Sequence, residues 1–198
     1  MRWTWTEGWG RWADAVPLAT GTAFIRQKNE LLTVGEWFLK TEEQRCNLVV
    51  PRFFEAAFGM SDADEAPIGI VEPLRIPLGS GREVKLRGKI DRVDEVLSTG
   101  GWQVWDYKTG SLWEYTKVWR LQKGRKLQHV IYTRALEQML RARGLKGNVE
   151  CAGYYFPTTK GGGERIEREC APGEVERALT LLFDVIGSGW FTLPDGGA

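Results

Sequence analysis

Two aspartates and a lysine stand where they could work together on a phosphate ester. Asp91 lies in Gly88-Lys89-Ile90-Asp91-Arg92-Val93-Asp94, and after a short turn Asp106 and Lys108 lie in Trp102-Gln103-Val104-Trp105-Asp106-Tyr107-Lys108-Thr109-Gly110. In an extended strand, residues two apart leave the same face, so Asp106 and Lys108 share one face and Tyr107 takes the other. Two facing carboxylates repel each other, and hard oxygen donors of this kind suit Mg²⁺ or Mn²⁺, which would reverse the repulsion. A cation held there polarises a phosphoryl oxygen and lowers the pKa of a bound water, while a neighbouring ammonium stabilises developing charge or positions the nucleophile. The competing reading is a surface salt bridge between alternating strand residues, worth about 0–1 kcal/mol.

The elements that must position these groups can be read from periodicity. Val84 to Val96 and Gly101 to Lys108 predict antiparallel strands joined across Ser98-Thr99-Gly100-Gly101. A strand over Ile68 to Pro77 would precede them, with Gly79-Ser80-Gly81 as the hairpin turn, and the three together would make the core sheet. Leu127 to Arg143 carries Leu127, Val130, Ile131, Ala135, Leu136 and Leu140 on a helical stripe. Gln128 and Tyr132 are four apart on that helix and share a face, so both polar tips can point into one cleft. Taken alone, the pair reads as an amphipathic boundary with a half-buried phenol.

Further segments complete the outline. Ala23 to Arg45 has helix-like apolar spacing and fits one or two helices. Phe53 to Phe58 is a short apolar approach to the sheet that carries Glu55, and Ser61 to Ala66 is an acidic loop. Val149 to Phe156 and Glu164 to Cys170 predict strands around the turn at Gly161-Gly162-Gly163. The last helix begins near Pro172 and stops at Gly187 and Gly189. Trp3, Trp5, Trp9 and Trp12 give residues 1–22 an irregular, Trp-rich character in which packing against the domain competes with stacking on bases.

The pattern Gly-x-Ile-Asp-Arg-Val-Asp, then Asp-Tyr-Lys-Thr-Gly, then Gln128-x-x-x-Tyr132, resembles the RecB-like branch of the PD-(D/E)XK nuclease superfamily. The resemblance extends to Pro51-Arg52-Phe53-Phe54-Glu55-Ala56-Ala57-Phe58-Gly59 and to Gly187-Ser188-Gly189-Trp190-Phe191, both similar to the C-terminal nuclease domain in the B subunit of bacterial helicase-nuclease complexes. It covers roughly residues 30 to 193. It implies an α/β fold with a restriction-endonuclease-like core, a central mixed β-sheet flanked by helices, over a single domain of 1–198 whose nuclease core is 23–193. By the same resemblance Asp91 and Asp106 are metal-binding acids, the Tyr107 backbone carbonyl completes the metal shell and Lys108 is the catalytic lysine. Gln128 and Tyr132 contact the substrate strand, and Glu55 is a supporting acid. Many relatives carry an upstream histidine as a further ligand. The only histidine here, His129, follows Lys108 and does not match it. Some relatives hold an iron-sulfur cluster on four cysteines. With only Cys46, Cys151 and Cys170, widely spaced, none is expected here.

Composition sets the outer bounds. A chain of 198 residues with 42% hydrophobic content can bury one well-formed core. Three cysteines make no disulfide framework and no leader is evident, which favours a reducing cytoplasm, and no apolar run approaches the ~20 residues of a membrane span. The net charge of +1 is low for a protein that grips phosphate backbones broadly. However, Lys117, Arg120, Lys123, Arg125 and Lys126 cluster around Trp119 directly before the Gln128 helix. Alone that run is a solvated loop, and beside a metal site it reads as a rim that guides a strand.

The leading reading is therefore a Mg²⁺- or Mn²⁺-dependent DNA nuclease of exonuclease type, acting in DNA end processing, recombination or repair. Its partners would be DNA and a helicase motor on another subunit or another part of a longer polypeptide, since no Walker-type phosphate loop is present. The alternatives are a nuclease-like DNA-binding or scaffolding module, which would be free to lose its acids, and a small-molecule phosphohydrolase, which would gain nothing from a basic rim.

Overall fold

Segments of period-2 alternation become strands and segments with a 3.6-residue apolar stripe become helices. In the computed structural model, which describes residues 21–116, 127–168 and 173–189, the order is α1 (Gly21–Glu43), β1 (Val49–Phe58), a 3₁₀ turn at Ala63–Glu65, β2 (Leu74–Pro77), β3 (Glu83–Leu86), β4 (Gly88–Val96), β5 (Trp102–Tyr107), α2 (Trp113–Thr116), α3 (Gln128–Ala142), β6 (Val149–Tyr155), β7 (Arg165–Glu167) and α4 (Glu174–Gly187). The central sheet runs β1-β4-β5-β6-β7. All its pairings are antiparallel except β5 with β6, so the sheet is mixed, as an α/β core with flanking helices requires.

The two faces of this sheet have different chemistry. Val93, Trp102, Val104 and Ala152 pack against Val130, Ala135, Leu136, Met139 and Leu140 of α3 in the main hydrophobic core. The indole N–H of Trp102 donates to the Lys146 carbonyl at 2.9 Å, which fixes the strand end beside the loop after α3. On the other face the strand parity turns Arg92, Asp94, Gln103, Tyr107 and Tyr155 toward the end of α1. There Arg92, 1% exposed, is held by Asp94 at 2.6 Å and Glu42 at 2.5 Å, and Glu42 also accepts from Arg165 at 2.6 Å and from the Tyr155 hydroxyl at 2.9 Å. One carboxylate of α1 thus ties β4, β6 and β7 together.

Several expectations are corrected. The segment Ile68 to Pro77 is not one strand. Only Leu74–Pro77 is extended, and Ile70 makes an isolated bridge to Phe58, because Pro67, Gly69 and Pro73 interrupt the ladder. β2 and β3 pair with each other in a separate two-stranded sheet and do not join the core. Their turn is the expected one, with Ser80 and Gly81 at φ of 65° and 72°. Val84 to Val96 breaks at Arg87 into β3 and β4. The run around Glu55 is no short approach but the ten-residue edge strand β1, paired with β4 from Val49 opposite Val96 to Phe58 opposite Gly88. Pro51 and the bulge before Phe53 mask its alternation in the sequence. The one or two helices expected over Ala23 to Arg45 are the single helix α1, which ends at Glu43 and has no fully buried residue. The Trp-rich start, the basic run around Trp119, Cys170, Pro172 and Trp190-Phe191 lie outside the described residues.

Replacing Arg92 by methionine leaves Glu42 and Asp94 without their shared cation, and a loss of about 3–5 kcal/mol is expected in urea unfolding. Burial pushes the Glu42 carboxyl up, but its bonds and charge attraction to Arg92, with Tyr155 and Arg165, prevail and place its pKa below the ordinary value. A folded pKa below the unfolded value of about 4.3 contributes stability that is complete above that value and is lost as pH falls through the folded pKa. Glu42→Gln should therefore flatten the acid limb of the stability curve below about pH 4.3. An acid limb identical to wild type would refute the assignment.

Candidate active site

The β4–β5 register carries two acids to one place. Arg92 lies opposite Trp105, so Asp91 and Asp106 are the next residues along their strands, on the face covered by α3. The paired ladder stops at Arg92 and Trp105, and beyond it the Tyr107 amide donates to Asp91 Oδ2 at 2.8 Å. A side chain thus takes the place of a backbone acceptor where the strands part. Asp106 is 3% exposed.

Lys108 lies one residue beyond β5, and its amide extends the parallel ladder by donating to the Tyr155 carbonyl at 2.8 Å. As parity requires, its ammonium lies on the Asp106 face, where it ion-pairs with Asp106 Oδ2 and donates to Gln128 Oε1 at 3.1 Å. The Tyr154 ring, in register with Asp106 on β6, lies 5.7 Å from the ammonium. Tyr107 points the opposite way, where its hydroxyl is 3.5 Å from Arg92 and its ring is 5.5 Å from that of Tyr155.

Gln128 opens α3 and Tyr132 follows one turn later, edge-on to Phe58 at 6.5 Å. The Tyr132 phenol has its pKa raised by burial and then by the negative fields of Asp106, Asp91 and Glu55, with a bond to Gln128 acting against them. The charges of three acids therefore act on one hydroxyl. Glu55 sits on β1 between Phe54, opposite Arg92, and Ala56, opposite Ile90, which places it across from Asp91. Its φ of 49° is a left-handed conformation that a non-glycine residue adopts only under local constraint. Strand register and the contacts of α3 thus bring Glu55, Asp91, Asp106, Lys108, Gln128 and Tyr132 to one region of the sheet. The basic rim lies outside the described residues.

Two supporting residues escaped sequence reasoning. His129 is buried beneath Gln128, with Nδ1 3.4 Å from the Tyr154 hydroxyl, and Tyr154 packs edge-on against Tyr115 at 4.7 Å. Burial, and then Asp106, raise the Tyr154 pKa, so the phenol stays protonated below the Asp106–Lys108 pair. The available signal was parity: Tyr154 is an even-numbered partner of Ala152, which faces the core.

The donor set suits a hard cation. Among the described residues no group of three or more His, Cys, Asp or Glu side chains is placed to hold a metal ion by itself. The carboxylates that the β4–β5 register brings side by side are those of Asp91 and Asp106, and hard oxygen donors with water in the remaining positions are the arrangement Mg²⁺ tolerates best.

A family model described as the PD-(D/E)XK nuclease superfamily matches residues 9–188. No curated protein matches the chain. With the two carboxylates as ligands, Mg²⁺ at about ten times its dissociation constant should stabilise the fold by about 1.4 kcal/mol, a melting shift of roughly 3–5 °C. Asp91→Asn and Asp106→Asn should each abolish that shift, and Lys108→Ala should retain it. A full shift in either Asn variant would remove that residue from the donor set.

Proposed function

The chain belongs to the PD-(D/E)XK nuclease superfamily, whose members are metal-dependent nucleases, and from that premise we propose that it is a deoxyribonuclease of the RecB-like branch that trims DNA ends. The observation that carries this reading is the Lys108 ammonium held between Asp106 and Gln128 beside Asp91. Acid, lysine and helix glutamine converge there from β5 and α3, which a chance salt bridge does not require.

In this reading Asp91, Asp106 and the Tyr107 carbonyl hold Mg²⁺ or Mn²⁺, which supplies polarisation of a phosphoryl oxygen and a more acidic water. The protein's own groups do the rest. Lys108 donates to an oxygen that gains charge as water attacks phosphorus, and its fixed bonds to Asp106 and Gln128 mean that little reorganisation is needed at that moment. Tyr132 presents a hydroxyl donor to the strand, with Gln128 setting its direction. Glu55 lies at the edge of the same cleft and repels a phosphate that enters out of register.

The role in DNA end processing, recombination or repair and the association with a helicase motor rest on the motif resemblance. A cytoplasmic setting accords with that role, and among the described residues no helix is long and apolar enough to cross a membrane.

The purified chain should degrade linear DNA faster than circular DNA in Mg²⁺ or Mn²⁺, and should leave both intact in EDTA. Lys108→Ala should lower the rate by about 10²–10³ while retaining metal-induced stabilisation. Equal cutting of circles would replace the exonuclease reading with an endonuclease one. No cutting of DNA by the wild type under either metal, or full activity of Lys108→Ala, would overturn the assignment.

A further inference from the structure

On the sheet face away from Lys108, a cleft of about 410 Å³ opens between the end of α1 and the β6–β7 turn. That volume lies within the ~300–1,000 Å³ range of small-molecule sites. Trp37, Lys40, Thr41, Arg45, Gly163 and Arg165 contribute to its wall. Three of these are cations, against a single carboxylate in the wall, Glu164, which is exposed. Glu42 is already shared between Arg92 and Arg165, and Asp94 is bonded to Arg92.

Two buried donors here lack acceptors. The Arg165 side chain is 8% exposed, its Nη2 bonds Glu42, and its guanidinium lies 3.7 Å over the Tyr155 ring, yet its buried Nε has no hydrogen-bond partner among the described residues. The Nε of Arg45 is buried and without a partner in the same way, while its Nη2 makes a 3.4 Å bond to Gln103. Each such donor costs about 1–3 kcal/mol. Burial, and then the charge of Arg165, hold the Arg45 pKa below its ordinary value.

The β6–β7 turn approaches α1 closely at one side of the cleft. Gly163 has a φ of 70°, and a Cβ there would stand 2.9 Å from Thr41 Cγ2 and 3.4 Å from Trp37 Nε1, so a side chain would strain the turn and crowd the cleft. Trp37 remains 39% exposed beside it. Guanidinium forks recognise phosphate oxygens, and an indole offers a stacking surface of about 1–3 kcal/mol per base.

We infer that this cleft is a nucleotide-binding site, in which Lys40, Arg45 and Arg165 take the phosphate and Trp37 flanks the base. It is separate from the proposed cleavage centre and lies across the sheet from it. A free mononucleotide and the terminal nucleotide of a strand share this chemistry.

Calorimetry on the full chain in EDTA tests the site whether or not the protein cleaves DNA. Inorganic phosphate, deoxyadenosine monophosphate and a short 5′-phosphorylated oligothymidylate are titrated into wild type, Lys40→Glu, Arg45→Gln and Lys108→Ala. The mononucleotide should bind more tightly than phosphate. Lys40→Glu, at an exposed position, and Arg45→Gln should each weaken binding at least tenfold, and Lys108→Ala should leave it within twofold. Tight binding of the mononucleotide alone identifies a free nucleotide, and tighter binding of the oligonucleotide with the same variant dependence identifies a strand end. Absence of saturable binding by all three probes overturns the inference, as does affinity that ignores Lys40 and Arg45 or follows Lys108.

Discussion

A guanidinium shut away from water must find acceptors on every side, or the fold loses several kcal/mol. Arg92 meets that demand with groups from three elements: Glu42 at the end of α1, Asp94 two residues along its own strand, and the Tyr107 hydroxyl on β5. Satisfying one buried charge therefore sets the position of a helix against two neighbouring strands. Because successive residues of a strand leave opposite faces, what Arg92 and Tyr107 fix below the sheet also fixes Asp91, Asp106 and Lys108 above it. The strands that carry the candidate site are clamped from the other side.

Above the sheet the electrostatic problem is inverted. Acids outnumber cations around the Tyr132 phenol, and Asp106 is almost wholly withdrawn from water. Lys108 relieves one of these charges and the Tyr107 amide engages another. Such a concentration of negative charge costs stability unless a cation relieves it, which is how a metal-dependent nuclease site keeps its affinity for the ion. The left-handed Glu55 on the adjacent edge strand adds backbone strain at the same place.

Much of this is legible in the local pattern of the chain. Period-2 alternation located β4 and β5, and the Gly-Ser-Gly turn located the β2–β3 hairpin. The apolar stripe from Leu127 placed Gln128 and Tyr132 on one helix face. The edge strand β1 was obscured because Pro51, a bulge and the left-handed Glu55 break its alternation, so that only pairing with β4 reveals its length. The strand expected over Ile68 to Pro77 failed for the opposite reason: apolar residues were present, but two prolines and a close-packed glycine prevented a continuous ladder. His129 drew attention only as a misplaced ligand, and its contact with Tyr154 spans a crossover that no local pattern encodes.

What the sequence alone determined is what covalent geometry dictates over a few residues. Asp106 and Lys108 share a face, Tyr107 and Arg92 take the reverse face, and Gln128 lies one turn from Tyr132. Tertiary structure decided which of these faces meet. Glu42 reaches Arg92 across 50 residues and Gln128 reaches Lys108 across 20. The cations of Lys40 and Arg45 converge with Arg165 only when α1 docks beneath β6 and β7. Parity is a property of the local chain, whereas register and docking are settled by competition among distant burial and pairing options, and only the folded whole resolves that competition.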